Sequence, residues 1–153
     1  MTEVLGLRLA YRGFIAGLSA SYAWLALAMV AGALVPHDPL APLRPVAAAL
    51  VPAAGDSPEL TFVLGFALIQ LGGATVGMLF AYFFARFFTT RPTLTVAAAC
   101  FAVLTWGLLA TGLGPLSGVA DLGLRAAPLI AALAYGLMLG AGLPLRVDVL
   151  RAA

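Results

Sequence analysis

Few side chains in this sequence can do chemistry, and their spacing gathers none of them into a site. There is one histidine, His37, and one cysteine, Cys100. A single histidine excludes bis-histidine haem ligation or a histidine-rich metal site within the chain. A single cysteine excludes an intrachain disulfide and a Cys-based metal cluster. Cys100 falls inside an apolar run and reads as a small core hydrophobe. His37-Asp38 pairs two metal-ligand types beside prolines, but the simpler reading is an exposed loop. Catalytic triads, paired carboxylates and phosphate-cradling loops are all missing: Gly72-Gly73 and Gly112-Leu113-Gly114 lie within or at the end of apolar spans, where no phosphate would sit. No catalytic, metal or cofactor-binding residue is assigned.

What remains is a handful of polar or aromatic groups embedded in apolar sequence. Gln70 is the most deeply placed strongly polar side chain. At 100° per residue it lies within roughly 20° of Gly77 and 60° of Gly73, so it faces the same helix seam as those glycines. An interhelical hydrogen bond to Thr105, Tyr135 or a backbone carbonyl is the structural reading, worth roughly 0.6 kcal/mol in a bilayer. A ligand or ion pathway lined by Gln70 with the hydroxyls of Ser19, Ser21, Thr75, Thr105 and Thr111 is the functional alternative. No Asp, Glu, His or Arg lies at mid-membrane depth, which counts against a proton- or ion-coupled transporter acting alone. Trp106 and Tyr135 are candidate contacts for a lipid tail or quinone, with packing inside the bundle as the alternative.

These groups sit in elements that only lipid can solvate. The sequence is 63% hydrophobic and 9% charged, with a mean hydropathy of +1.10; soluble domains carry about a quarter charged residues. The net charge of +2 reflects dispersed arginines, not a nucleic-acid surface. All eight basic residues are Arg, Lys and Asn are absent, and Ile occurs only at 15, 69 and 130. That bias implies a GC-rich, prokaryotic genome and the inner membrane of such a cell.

The spacing predicts a single all-α domain over 1–153, a bundle of four transmembrane helices. The spans are 13–35, 60–85, 92–113 and 126–143, each near the ~20 residues that cross a ~30 Å hydrocarbon core. The Arg-flanked start of the first span and Ala31-Gly32-Ala33 resemble a signal peptide, but its apolar stretch is too long and it reads as an uncleaved helix. The run at 60–88 organises the rest, with the second helix expected to be central. Gly73, Gly77, Ala81 and Ala85 step through it at four-residue intervals, a ladder that lets a neighbouring helix approach closely. Gly13, Gly17 and Ser21 form a second ladder; Ala132, Gly136 and Gly140 form a third. Between the first two spans, 36–59 is broken by six prolines, which remove donors and disfavour helix before them. VAAALV within it is too short to span and reads as an interfacial helix or a cover for the bundle end. Thr89-Thr90-Arg91-Pro92 makes a tight turn into an antiparallel third helix, and aromatics from Phe80 to Phe88 with Arg86 and Arg91 form an interface anchor.

Loop charge orients the bundle. Arg8, Arg12, Arg86, Arg91, Arg146 and Arg151 fall on one side of a four-span arrangement. Arg44 and Arg125 fall on the other with Asp38, Asp56, Glu59 and Asp121. The positive-inside rule puts both termini in the cytoplasm.

The order of motifs resembles a family of uncharacterised small four-helix prokaryotic membrane proteins. The matching pieces are YRGFIAG (11–17), LGFALIQLGGATVG (64–77), GLGPLSG (112–118) and LIAALAYGLMLG (129–140), within roughly residues 12–144. Members of that family often carry a histidine where this chain has Gln70 and Ala132, so a haem or metal role carried from the family lacks its ligands here. Some members accompany respiratory oxidase components, which implies an accessory role. The leading expectation is thus a non-catalytic accessory subunit of a larger, respiratory-type membrane complex, with membrane lipids and other integral membrane subunits as partners. The alternatives are a small oligomeric channel or transporter, and a quinone- or lipid-binding module.

Overall fold

A computed structural model describes residues 2–34, 37–112 and 126–145, and among them every regular element is helical. Helix α1 is Thr2–Leu34, α2 is Arg44–Leu50, α3 is Pro58–Phe83, α4 is Arg91–Gly112 and α5 is Ala126–Gly142, with single 3-10 turns at Pro52–Gly55 and Ala85–Phe87. Helices α1, α3 and α4 are long and apolar enough to cross a membrane. Helix α5 is apolar but has 17 residues, about 25 Å at ~1.5 Å per residue.

Helix α1 begins well before the apolar span expected at 13. Nothing in 2–12 breaks a helix, and the segment has its own amphipathic logic: Leu9 is buried while Arg8 and Arg12 are exposed. The start of α3 is set locally. Ser57 caps it, its hydroxyl accepting from the Leu60 N–H, with Pro58 in the first turn and Glu59 beside the positive end of the helix dipole.

The proline-rich segment folds down on the start of α3. Pro45 opens α2, whose Ala47 is fully buried along with Leu43 before it. Leu43 seats against Gly65, where a Cβ would come within 2.9 Å of the leucine Cβ. The Thr61 hydroxyl donates to the Ala54 carbonyl at 2.6 Å. At the front of the segment the Asp38 carboxylate accepts from the Leu40 N–H at 2.9 Å and from Arg44 Nε at 2.8 Å. The Arg44 guanidinium holds the Asp38 carboxyl below its ordinary 3.8, against an opposing effect of partial burial. The pair therefore stabilises the cap fully above pH 3.8 and is lost as pH falls through the lowered folded value. Both side chains are well exposed, so the effect is below about 1 kcal/mol. Asp38→Asn is expected to raise the proteinase K cleavage rate of this segment at neutral pH by no more than about five-fold; unchanged cleavage would mean the ion pair does not hold the cap.

The long helices pack in two glycine-bearing seams. Helices α1 and α3 run antiparallel with Gly13 on Gly77 and Gly17 on Gly73; α4 and α5 run antiparallel with Gly140 on Thr95 and Gly136 on Ala99. Helix α1 also reaches α5, where Gly142 lies beside Ala16, and Ala16 and Ala20 share a core with Tyr135, Leu139 and Leu143. The helices therefore pack in the order α3–α1–α5–α4, and the middle belongs to α1 and α5, not to the second long helix, α3, which the sequence suggested as central. Small residues on two adjacent faces of α1 give it two close neighbours. Arg91, at the start of α4, donates to the carbonyls of Ala141 and Leu143 at 3.1 and 2.8 Å, closing the free end of α5 with a cation where the dipole favours one.

Candidate ligand-binding cavity

The ladder residues come together inside the chain. A Cβ on Gly13 would lie 2.5 Å from the Gly77 carbonyl oxygen and 2.3 Å from Ala81 Cβ, and one on Gly17 would lie 2.5 Å from the Gly73 carbonyl oxygen. Gly73 in turn faces Ser21. Ala85 is buried in the same core but lies in the 3-10 turn after α3. In the second seam Gly136 and Gly140 meet the backbone of Ala99 and Thr95 at 2.4 and 2.5 Å. Each ladder thus faces a helix of this chain.

Gln70 is 5% exposed and its amide meets Ser21 of α1. It bonds neither Thr105 nor Tyr135, the partners the sequence proposed. The Tyr135 hydroxyl is taken by the Gly73 carbonyl at 2.5 Å, and Ser21 is nearer because Gly73 lets α1 approach. The Ser21 hydroxyl also lies 2.7 Å from the Leu18 carbonyl. With one proton it donates to one acceptor only, so both contacts are satisfied when the amide turns its NH2 toward Ser21. One end of the Gln70 amide is then held by Ser21, and the other has no partner among the described residues.

The remaining hydroxyls lie on their own helices. Ser19 donates to Ile15 at 3.0 Å and Thr75 to Leu71 at 2.8 Å. The side chain of Thr111 lies outside the described residues, as do Arg125, Asp121, Arg146 and Arg151. His37 is exposed with a left-handed φ of 56°, and both Asp38 oxygens are engaged. Cys100 is exposed on α4 and not a core residue as expected, because Ala98, Ala99 and Ala102 occupy the inward face. No cluster of metal-ligating side chains occurs among the described residues.

Where α3 and α4 meet, they do so through Phe80 and Phe84 against Phe101, with ring centroids 5.2 and 5.4 Å apart. Toward the end capped by α2 they stand apart and leave a cavity of about 570 Å³, a size typical of small-molecule sites. Helix α1 contributes Ser21 and Trp24, α4 contributes Thr105 and Trp106, and α5 contributes Ala132 and Tyr135. Val46 of α2 lies at its edge. The α3 wall includes Leu71 and Gly72, which are exposed on the outside of the bundle; a Cβ on Gly72 would meet nothing within 4 Å. The cavity therefore opens sideways, through the flank of a helix apolar enough to cross a membrane. Among the described residues, none in its wall carries a formal charge.

Trp106 and Tyr135, singled out in the sequence, share this wall; Gln70 lies beside it in the α1–α3 seam. Trp24 is the member that sequence reasoning missed. A signal was present: the chain has two tryptophans, about 15 Å from the end of α1 and about 9 Å from the end of α4. In an up-down bundle those positions fall at similar depth. No protein family, curated protein or solved structure matches the chain, so the resemblance drawn from its glycine motifs stands on those motifs alone.

Proposed function

We propose that this protein binds a lipid-soluble small molecule in the cavity between α3 and α4. The carrying observation is that both tryptophans of the chain and Tyr135 line one cavity that has a lateral opening and no charged side chain among its described lining residues. Ordinary packing of a lipid-embedded bundle closes such space, since dispersion contacts between helices are what hold it together. Among the described residues the wall offers no carboxylate, imidazole or thiol, which favours a reading of binding over catalysis. A water-filled ion path finds less support: the Ser19 and Thr75 hydroxyls are bonded within their own helices, and Gln70 is turned to Ser21.

The expected role as accessory subunit of a respiratory-type complex drew on the family resemblance, and docking on another subunit through the ladders would need those faces free. With those faces closed on one another, the cavity is the stronger ground. We read α5 as a fourth crossing, its length made up by modest local thinning of the bilayer. Arg86 and Arg91 next to an exposed aromatic group that includes Phe83 and Phe87 support a cytoplasmic placement for that end and for the start of α1, in the inner membrane of a prokaryote.

The test is chemical. Protein purified through detergent exchange is extracted with organic solvent and the extract compared with bulk membrane lipid by mass spectrometry. One lipophile retained near stoichiometry is expected from the wild type and lost from Val76→Trp, which fills the cavity wall. Extracts of both that simply mirror the bulk lipid would sink the proposal.

A further inference from the structure

We infer that the occupant is a neutral lipophile whose head is a planar, conjugated ring bearing carbonyl oxygens, the chemistry of an isoprenoid quinone, with its tail leaving by the opening at Leu71 and Gly72. This rests on the reading of the cavity as a ligand site and adds what it selects.

The hydrogen-bonding inventory of the wall is lopsided. Tyr135 donates to the Gly73 carbonyl, Thr75 to Leu71, and Ser21 is engaged with Leu18 and Gln70. The lining residues left are Trp24, Trp106 and Thr105, whose donors make no hydrogen bond to a described residue and are the ones an occupant could meet. An indole N–H donates and cannot accept. A polar hydrogen left unbonded in hydrocarbon is costly, so the atom that suits this wall is an acceptor. Among the described residues the wall has no cation to neutralise a phosphate or carboxylate, so an uncharged acceptor such as a carbonyl suits it.

Shape decides between carbonyl sources. Two indoles and a phenol offer ring faces, which favour offset or edge contacts with another flat ring over a flexible acyl ester. A volume of about 570 Å³ holds a ring and the first part of a tail, but not a long polyprenyl or diacyl chain; the rest continues into the bilayer through the side.

Both tryptophans line the cavity, so emission excited at the red edge, where the four tyrosines do not absorb, reports on it. Wild-type protein in phosphatidylcholine nanodiscs is titrated with a short-tailed isoprenoid 1,4-benzoquinone, with methyl oleate as the ester arm and squalene as an arm without an acceptor. Saturable quenching by the quinone is expected; the comparison ligands, which do not quench, are read by their displacement of the quinone and should compete at least ten-fold more weakly. Thr105→Val and Trp106→Phe, which each remove a donor, are expected to weaken quinone binding about three- to ten-fold; Thr105→Val, which keeps bulk, should leave squalene displacement unchanged, showing that the cavity is still formed. Equal affinity for quinone and squalene, tighter binding of methyl oleate, or full quinone affinity in both variants would overturn the inference while leaving a lipophile site standing. No saturable change with any of the three ligands would overturn the site itself.

Discussion

Gly77→Leu is expected to cost about 3 kcal/mol or more and to leave little folded protein in detergent. The reason lies in what surrounds the missing side chain. A Cβ on Gly77 would sit 2.5 Å from the Gly13 carbonyl oxygen, 2.7 Å from Gly17 Cα and 3.0 Å from Gly17 N. All three are backbone atoms of α1, so no rotamer change relieves the clash and the helices must separate. Separation removes the contacts that the whole seam shares, from Gly13–Ala81 to Ser21–Gln70. In lipid no hydrophobic gain offsets this, because the exposed faces exchange protein for acyl chains of equal apolarity. Overpacking typically costs about 1–3 kcal/mol where side chains give way, and here they cannot. Gly72→Ala is the matched control, on the same helix with open space at its Cβ. Its expected effect runs from neutral to about 1 kcal/mol stabilising, by the helix preference of alanine over glycine. Equilibrium unfolding in mixed micelles reads both. Equal effects of the two substitutions would mean that α1 and α3 are not in contact along this seam.

That contrast also marks how far the sequence was legible. Small residues at four-residue steps announce a close helix contact, and Gly72, which is off the ladder beside it, meets nothing. The period of a ladder does not name its partner, however. Gly136 and Gly140 meet Thr95, Ala98 and Ala99, where the facing side of α4 carries no glycine to advertise the match. The central helix was misread for a related reason. In water the most apolar helix tends toward the middle, whereas lipid solvates an apolar face as well as protein does. Position in the bundle then follows from which faces close on a neighbour: α1 closes on α3 and α5, and α5 closes on α4 and α1. The wheel geometry put Gln70 beside Gly77, and both lie toward α1, but its partner depended on that helix order. The cavity was the least legible feature. It arises where α3 and α4 do not touch, and a missing contact writes no pattern of residue types; only Trp24 and Trp106 at matching depth pointed to it.

Phe80→Ala is expected to be the most disruptive change outside the glycine seams, and to act on the cavity as well as on stability. Phe80 is 1% exposed and stacks on Phe84 at 6.0 Å and Phe101 at 5.2 Å. It lies one helical turn beyond Val76, which belongs to the cavity wall, so its ring separates the cavity from the arginine-bearing end. Truncation leaves a void that the alanine-rich core around it is too short to fill. The expected loss is about 3 kcal/mol, the low end for Phe→Ala in soluble cores, since lipid offers the unfolded ring an apolar refuge that water does not. Phe84→Ala removes the other ring that meets Phe101, yet Phe84 is 45% exposed, and its loss should stay near 1 kcal/mol or below. Opening the cavity toward the headgroup region also admits water, so tryptophan emission in Phe80→Ala should shift to the red, while Phe80→Leu keeps the wild-type maximum. Destabilisation with an unshifted maximum would leave Phe80 a packing residue alone, with the barrier between the cavity and the polar end supplied by other side chains.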